Sequence, residues 1–265
     1  MRVPIEIDPE MTYHNRTQLC VAALQRSGHH AIINWISANA PGSACFLNNC
    51  RPNIDPFLMC SPDARGELAL RDLLIYNYED RALNEVFTQD FSRHQKEWFG
   101  QTGSVACVLV LRDPFNNFAS KYRWAVKGTK WTPPVEWVTR VLPGLWKSYA
   151  REFLGQTTVL PEPKVFINYN RWFTDEEYRC EIARQLGLVA ADKGLTEVAK
   201  WGPNTWGDSF DNLNFDGRAN EMKVLERWRC VASDQTFTDL FRDRELLSLS
   251  QEIFGLIPGT DVLYQ

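Results

Sequence analysis

The residues that most constrain the fold are VACVLVLRDP, at positions 105–114. Seven apolar residues in an unbroken run are typical of a β-strand that is covered on both faces, as in a parallel sheet. Asp113 and Pro114 follow almost at once, and Asp is a good helix N-cap while Pro suits the first helical position. A helix is therefore predicted to begin here and to run through residues 115–126. A buried strand that passes directly into a helix indicates an α/β fold.

The rest of the sequence continues this alternation. Further strands are predicted at 18–24, 68–78 and 164–169, and further helices at 31–39, 80–99, 179–188, 221–231 and 239–254. Residues 43–67 and 123–149 are predicted to be irregular. Strands that alternate with helices favour a three-layer α/β domain, in which a central parallel sheet has helices on both faces. We expect one domain over residues 1–265, with its ligand at the carboxyl ends of the strands.

Composition and charge narrow the range of partners. The formal net charge of −4 argues against nucleic acid, which usually binds to basic proteins. The first residues lack the apolar core of a signal peptide, and no window of about 18 apolar residues predicts a membrane span. The seven cysteines are scattered without a CxxC pair, so reduced thiols and no zinc site are expected. We therefore expect a cytoplasmic monomer or homodimer that acts on a small molecule and binds neither nucleic acid nor membranes.

The loop QRSGHH, residues 25–30, lies at a predicted turn from strand to helix. Backbone N–H groups at a helix start favour anions, and Gly28 allows the backbone to approach a ligand closely. Arg26 adds a permanent charge and a fork of donors that suits oxyanions, and Ser27 adds a hydroxyl. This combination predicts an anion-binding loop, although a plain turn with a surface arginine has the same residues. The GxxxxGK[ST] pattern of magnesium-dependent NTPases is absent.

A second candidate anion site is predicted from VLRDPFNNFASKY, residues 110–122. Arg112 ends the central strand, and Ser120 follows eight residues later on the predicted helix. Both could lie at the same edge of the sheet as the first loop and bind a second phosphate. Two separate anion sites indicate a nucleotide with phosphates on both its 5′ and its 3′ carbon.

The pair QRSGHHAIINW and RDPFNNFAS resembles the two nucleotide-binding motifs of the sulfotransferases that use 3′-phosphoadenylyl sulfate (PAPS). The resemblance implies the P-loop NTPase-like sulfotransferase fold, PAPS as donor, 3′,5′-adenosine bisphosphate (PAP) as product, and no metal. It implies that residues 26–30 hold the 5′-phosphosulfate and that Arg112 and Ser120 hold the 3′-phosphate. Weaker similarity at VFINYNRW and NFDGRANEMKVLERW adds Tyr169 near the adenine and a closing loop. The implied cofactor-binding residues are Gln25, Arg26, Ser27, Gly28, His29, His30, Arg112, Ser120, Tyr169, Gly217 and Arg218.

This chain departs from the family pattern within the first motif, where Asn34 stands at a helix position at which several members carry a glutamate. The family often has Thr-Thr where His29 and His30 stand, and an aromatic residue that stacks on adenine where Ala31 stands. Another ring must then stack on the adenine, and Phe215 or a tryptophan is the candidate.

The candidate catalytic residues are Arg26, His30 and Glu79. Arg26 is expected to stabilise charge on the leaving phosphate. The family's cytosolic members carry a histidine base on the strand between the two motifs, but here that strand reads LLIYNYED. Glu79 and His30 are therefore two open candidates for the proton acceptor. Glu79 could instead be a solvated helix cap, and His30 could only donate a hydrogen bond to a phosphate oxygen.

Acceptor specificity is expected in the lid segments near 123–149 and 201–220. Tryptophans of the first segment form either core packing or a wall over a flat acceptor, and three acidic residues would allow a cationic, alkaloid-like acceptor. The predicted function is sulfuryl transfer to a hydroxyl or amine of a small molecule such as a natural product. A carbohydrate sulfotransferase, a nucleotide kinase and a non-catalytic nucleotide-binding P-loop protein are the alternatives. The residues concerned are Trp124, Trp131, Trp137, Trp146, Glu136, Asp208 and Asp211.

Overall fold

The computed structural model describes residues 14–60, 71–130, 132–189, 191–197, 215 and 217–264. Within these ranges the chain alternates between strands and helices. The strands are β1 Asn15–Ala23, β2 Ala44–Leu47, β3 Arg71–Glu79, β4 Thr102–Leu111 and β5 Lys164–Asn168. The helices are α1 His29–Asn39, α2 Pro56–Cys60, α3 Leu83–Val86, α4 Phe91–Phe99, α5 Pro114–Val126, α6 Val135–Arg140, α7 Leu142–Phe153, α8 Tyr169–Thr174, α9 Glu176–Gln185, α10 Gln235–Thr238 and α11 Arg244–Phe254.

The strands form one parallel sheet in the order β2-β3-β1-β4-β5. The register aligns Ala23 at the end of β1 with Glu79 of β3 and Val110 of β4. Three strands thus end at the same edge. After β1 the chain builds β2 and β3 on one side and then crosses to β4 on the other. Open parallel sheets bind ligands where the strand order reverses in this way.

Both faces of the sheet are covered, as the apolar strand sequences predict. In β1, Leu19 and Val21 pack into a core with side chains of α1, α8 and α9. Cys20 and Ala22 point the other way, into a second core with α4, α5, α7 and α11. Alternate residues of one strand therefore serve two cores, which explains its unbroken apolar sequence. The predicted three-layer α/β architecture is confirmed.

The helix predicted after β4 begins where the sequence indicates. The Asp113 carboxylate accepts a hydrogen bond from the backbone N–H of Asn116 at 2.9 Å, and Pro114 occupies the first turn of α5. Local capping chemistry alone locates this boundary.

Two segments predicted to be irregular contain regular structure. Residues 43–60 hold the edge strand β2, which pairs with β3, and the short helix α2. Residues 135–149 hold α6 and most of α7. Trp146 of α7 is fully buried and donates its indole N–H to the Arg112 carbonyl at 2.9 Å. Tertiary packing of aromatic side chains stabilises this helix, which the sequence pattern did not reveal.

The prediction of a helix over residues 221–231 is wrong. The chain forms 3₁₀ turns at Ala219–Glu221 and Arg227–Val231 instead. Val224 lies between the two turns, and its carbonyl oxygen accepts a hydrogen bond from Arg112. Arg227 begins the second turn, and its side chain donates to Ser120. These long-range hydrogen bonds hold the segment against the end of β4 and prevent a continuous helix.

Among the helices in the described ranges, none combines the length and apolar character that crossing a membrane requires.

Candidate active site

A cavity of about 290 Å³ lies at the carboxyl edge of the sheet, where β1, β3, β4 and β5 end. Its walls combine guanidinium, imidazole and carboxylate groups with apolar side chains. The lining residues are Gln25, Arg26, Gly28, His29, His30, Ala31, Glu79, Arg112, Trp124, Tyr169, Met222, Val224 and Arg227.

Hydrogen bonds to two neighbouring elements fix the loop between β1 and α1. The backbone N–H of Gln25 donates to Asp80 at 2.9 Å, and its carbonyl accepts from Asn117 at 3.1 Å. The side-chain amide of Gln25 donates to Glu79 at 2.9 Å and accepts from Lys121 at 2.6 Å. The Gln25 side chain therefore holds the loop in place, although the residue lines the cavity.

Two residues of this loop have left-handed backbone conformations. Arg26 has φ of +68° and Gly28 has φ of +81°. A Cβ atom on Gly28 would lie 2.0 Å from the Tyr169 ring. The group that lies close to Gly28 is thus the Tyr169 ring, whereas the sequence analysis expected a ligand at this position. Helix α1 begins immediately afterwards without a side-chain cap, so its first N–H groups remain available to an anion.

Ser120 lies between two arginines. Its Oγ accepts from Arg26 Nε at 3.2 Å and from Arg227 Nη1 at 3.0 Å. Ser120 and Arg227 are both buried, and Arg26 is half-buried. One hydroxyl therefore gathers two guanidinium groups beside the cavity, which suits an oxyanion. Sequence reasoning missed Arg227; its only signal was an arginine beside Trp228 in the stretch of weaker similarity.

Arg112 connects three parts of the site. It is 1% exposed, and it donates to the Arg26 carbonyl at 2.9 Å and to the Val224 carbonyl. Its guanidinium carbon lies 5.2 Å from the centre of the Tyr169 ring, a cation–π distance. Arg112 thereby joins the β1–α1 loop to the segment before Arg227, and the two sequence motifs meet at one cavity.

Glu79 is the centre of a buried hydrogen-bonded cluster. Its Oε1 lies 2.8 Å from His29 Nε2 and 3.2 Å from His30 Nε2, and it accepts from Asn77 Nδ2 at 3.0 Å. Its Oε2 accepts from Gln25. Glu79 is only 6% exposed, so the alternative of a solvated helix cap is wrong.

The contacts within this cluster indicate which atoms of its side chains carry protons. Burial disfavours the charged carboxylate, but the interactions with His29 and His30 outweigh burial and hold the pKa of Glu79 far below its ordinary value. Burial, with the neighbouring His30, lowers the pKa of His29. Because an ionised carboxylate only accepts, Nε2 of neutral His29 carries the proton. Its Nδ1 then accepts from the Ser27 hydroxyl at 3.2 Å.

These contacts distinguish the two candidate proton acceptors, Glu79 and His30. All four partners of the Glu79 carboxylate hold it as an ionised acceptor inside the protein. His30 is different, because its side chain is 34% exposed, whereas that of Glu79 is 5% exposed. Its Nε2 faces two acceptors, Glu79 Oε1 and Asn48 Oδ1 at 3.0 Å. That nitrogen therefore carries a proton, which leaves Nδ1 as the ring atom that can accept one.

Of the tryptophans that the structure describes in the first predicted lid segment, Trp124 contributes to the cavity. Trp124 lines it, and the buried Lys121 ammonium lies 5.3 Å from the Trp124 ring and 5.1 Å from the Trp137 ring. Burial lowers the pKa of Lys121, although its ion pair with Asp80 opposes this. Trp146 is core packing. Glu136 is exposed and pairs with Arg140 at 3.0 Å. Trp131, Asp208 and Asp211 lie outside the described residues, as do most of residues 201–216.

The predicted closing loop does not reach the cavity through the expected residues. Gly217 and Arg218 are exposed, and Arg218 pairs with Glu221 at 3.4 Å. Phe215, the candidate adenine-stacking ring, is half-buried and is not among the lining residues. Tyr169 lines the cavity, but its ring is 4% exposed and stacks on Trp172.

Comparison with known proteins identifies the fold. No family model and no curated protein matches the sequence. Among solved structures, the chain is similar to mouse sulfotransferase SULT7A1 complexed with PAP, with 13% identity, 89% coverage of each chain and a TM-score of 0.52. It is also similar to the sulfotransferase domain of the Synechococcus PCC 7002 olefin synthase, with 13% identity, coverage of 92% and 96%, and a TM-score of 0.49. The sulfotransferase domain from the curacin biosynthetic pathway matches with 12% identity, coverage of 91% and 98%, and a TM-score of 0.45. The predicted sulfotransferase fold is confirmed.

Proposed function

We propose that this protein is a PAPS-dependent sulfotransferase that transfers a sulfuryl group to a hydroxyl or amine of a small molecule. The observation that carries the proposal is the pair of oxyanion-binding groups at one cavity. One is the β1–α1 loop with Arg26, and the other is Ser120 with Arg227. The sulfotransferase fold supports it, and one neighbour of similar fold was solved with PAP.

The chemistry of the cavity fits a doubly phosphorylated adenosine. Guanidinium groups of Arg26 and Arg227, with the Ser120 hydroxyl, suit phosphate oxygens. Met222 and Val224 add apolar surface on the same wall, which suits a nucleobase. We assign the 3′-phosphate to Ser120 and Arg227, and we assign to Arg112 the role of holding their backbone neighbours in position.

The reaction exchanges one S–O bond for a new S–O bond with a hydroxyl acceptor or an S–N bond with an amine acceptor. The bond from sulfur to the 5′-phosphate oxygen breaks, the bond to the acceptor atom forms, and PAP leaves. Arg26 stabilises the charge that develops on the leaving phosphate. His30 accepts the proton of the acceptor on Nδ1, while Glu79 holds the ring through Nε2. Trp124 is the wall against which a flat acceptor, such as a natural product, would pack.

Isothermal titration calorimetry with PAP and with ATP–Mg²⁺ tests the donor. We expect tight, metal-independent binding of PAP and much weaker binding of ATP–Mg²⁺. Equal preference for ATP would support a nucleotide kinase and refute the proposal.

Arginine variants test the 3′-phosphate assignment. Arg227→Met should weaken PAP binding about 10- to 100-fold, because a charge-assisted hydrogen bond contributes about 1.5–3 kcal/mol. Arg218→Met is the matched control and should leave affinity unchanged, since Arg218 lies away from the cavity. The opposite ranking would overturn the assignment to Arg227 and would support Arg218 of the predicted closing loop as a cofactor-binding residue.

Turnover with bound cofactor tests the proton acceptor. His30→Asn should lower kcat about 10²- to 10⁴-fold for a hydroxyl acceptor, the range expected for a lost general base. Near wild-type turnover of His30→Asn would show that His30 does not take the proton.

A further inference from the structure

We infer that His29, His30 and Glu79 form a binding site for a divalent transition metal such as Zn²⁺, and that the bound metal inhibits the protein. The inhibition rests on the proposed function, whereas the metal binding does not. Three ligand types that zinc prefers meet here: two imidazole nitrogens and a carboxylate oxygen.

The distances suit one ion. One ring nitrogen of His29, one ring nitrogen of His30 and a Glu79 carboxylate oxygen all lie within 4.8 Å of one another. Glu79 Oε1 is 2.8 Å from the first nitrogen and 3.2 Å from the second. Zinc bonds of about 2.0–2.2 Å place neighbouring ligand atoms roughly 3.0–3.5 Å apart. Small side-chain shifts, without backbone movement, therefore allow all three atoms to bind one ion.

Outer contacts hold the ligands in the required orientations. Ser27 Oγ lies 3.2 Å from His29 Nδ1 and accepts from it once the metal occupies Nε2. Asn77 donates to Glu79 Oε1 at 3.0 Å, and Gln25 donates to Oε2 at 2.9 Å. Such contacts orient histidine and carboxylate ligands at established metal sites.

The ligand set and the surroundings define the metal class. Two imidazoles favour Zn²⁺, Co²⁺, Ni²⁺ or Cu²⁺ over Mg²⁺ and Ca²⁺, which prefer oxygen ligands. The ion can enter through the cavity, because the His30 side chain is 34% exposed. Arg26 lies on the same cavity but donates to Ser120. Its charge weakens cation binding at low salt, so the affinity should rise with ionic strength.

Metal binding and sulfuryl transfer need the same groups. An ion on His30 Nε2 and Glu79 replaces the contact that holds the His30 ring for proton transfer. Cysteine and histidine spacing gave no sign of this site, because Glu79 lies 50 residues from His29.

The test uses metal salts on the whole protein at pH 7.5. Calorimetry with ZnCl₂ should show one site, CoCl₂ should give visible absorption bands, and MgCl₂ should not bind. His30→Gln and Glu79→Gln should each weaken zinc binding at least about 100-fold, and Ser27→Ala about 10- to 100-fold, as for outer contacts elsewhere. His94→Gln is the matched control, since His94 stacks on Trp98 away from the cluster.

The outcomes separate the site from the proposed function. The inference is overturned if Zn²⁺ does not bind. It is also overturned if His30→Gln and Ser27→Ala both bind Zn²⁺ as tightly as the wild-type protein does. Thermal melts of the variants show whether a loss comes from unfolding, and a folded His30→Gln that binds zinc normally also overturns it. If zinc binds with the expected variant pattern and PAP does not bind, the metal site stands and the sulfotransferase proposal fails.

Discussion

Gly28→Ala tests the packing that shapes the β1–α1 loop. Alanine would have to adopt φ of +81° and would place its Cβ 2.0 Å from a carbon of the Tyr169 ring. A left-handed backbone costs a non-glycine residue roughly 1–2 kcal/mol. Overpacking a well-packed site typically costs about 1–3 kcal/mol more. The free energy of unfolding, measured by urea denaturation, should therefore fall by about 2–5 kcal/mol.

Gly187→Ala isolates the backbone part of this cost. Gly187 has φ of +68°, but a Cβ there meets no heavy atom within 4 Å. It should lose only the roughly 1–2 kcal/mol of the left-handed conformation. The difference between the two variants measures the steric conflict with Tyr169.

A double-mutant cycle identifies the conflicting group. Tyr169→Ala removes the ring, so adding Gly28→Ala to it should cost about 1–3 kcal/mol less than in the wild-type background. Equal losses for Gly28→Ala and Gly187→Ala, or additive losses in the cycle, would refute the reasoning.

Two further variants probe buried charges. Lys121→Met should destabilise the protein by about 3 kcal/mol in urea denaturation, because it leaves the Asp80 carboxylate without its ammonium partner; an unchanged midpoint would contradict this. Hydrogen bonds from Thr157, Val159 and Leu160 outweigh burial and lower the pKa of the Glu152 carboxylate, so its stabilisation is present above pH about 4.3 and is lost as pH falls further. Glu152→Gln should lose about 2 kcal/mol at pH 7 and progressively less below pH 4, whereas a difference that does not depend on pH would contradict the assignment.

Local signals account for the parts of the fold that could be predicted. Asp113 and Pro114 locate the start of α5, because capping depends on neighbouring residues only. The unbroken apolar run of β4 identifies a strand covered on both faces. The helix α7 was missed because Trp146 stabilises it through contacts with distant segments.

The residues of the candidate site also divide into those that could be predicted from local sequence and those that could not. Residues 25–30 and Arg112 could be recognised because their motifs are contiguous, and the structure brings them to one cavity. Arg227 could not be recognised, since its role depends on a hydrogen bond to Ser120, 107 residues away. The contacts of Glu79 with both histidines also depend on strand order, which the sequence pattern did not predict.

The hydroxyl of Ser120 joins guanidinium groups from near the two ends of the chain, Arg26 and Arg227. During synthesis the ribosome must release residue 227 before this junction can close. A nascent or truncated chain that stops earlier has the β1–α1 loop but lacks its distant partner. Under the proposed function, the affinity for PAP therefore reports whether the chain has folded as far as the segment that holds Arg227.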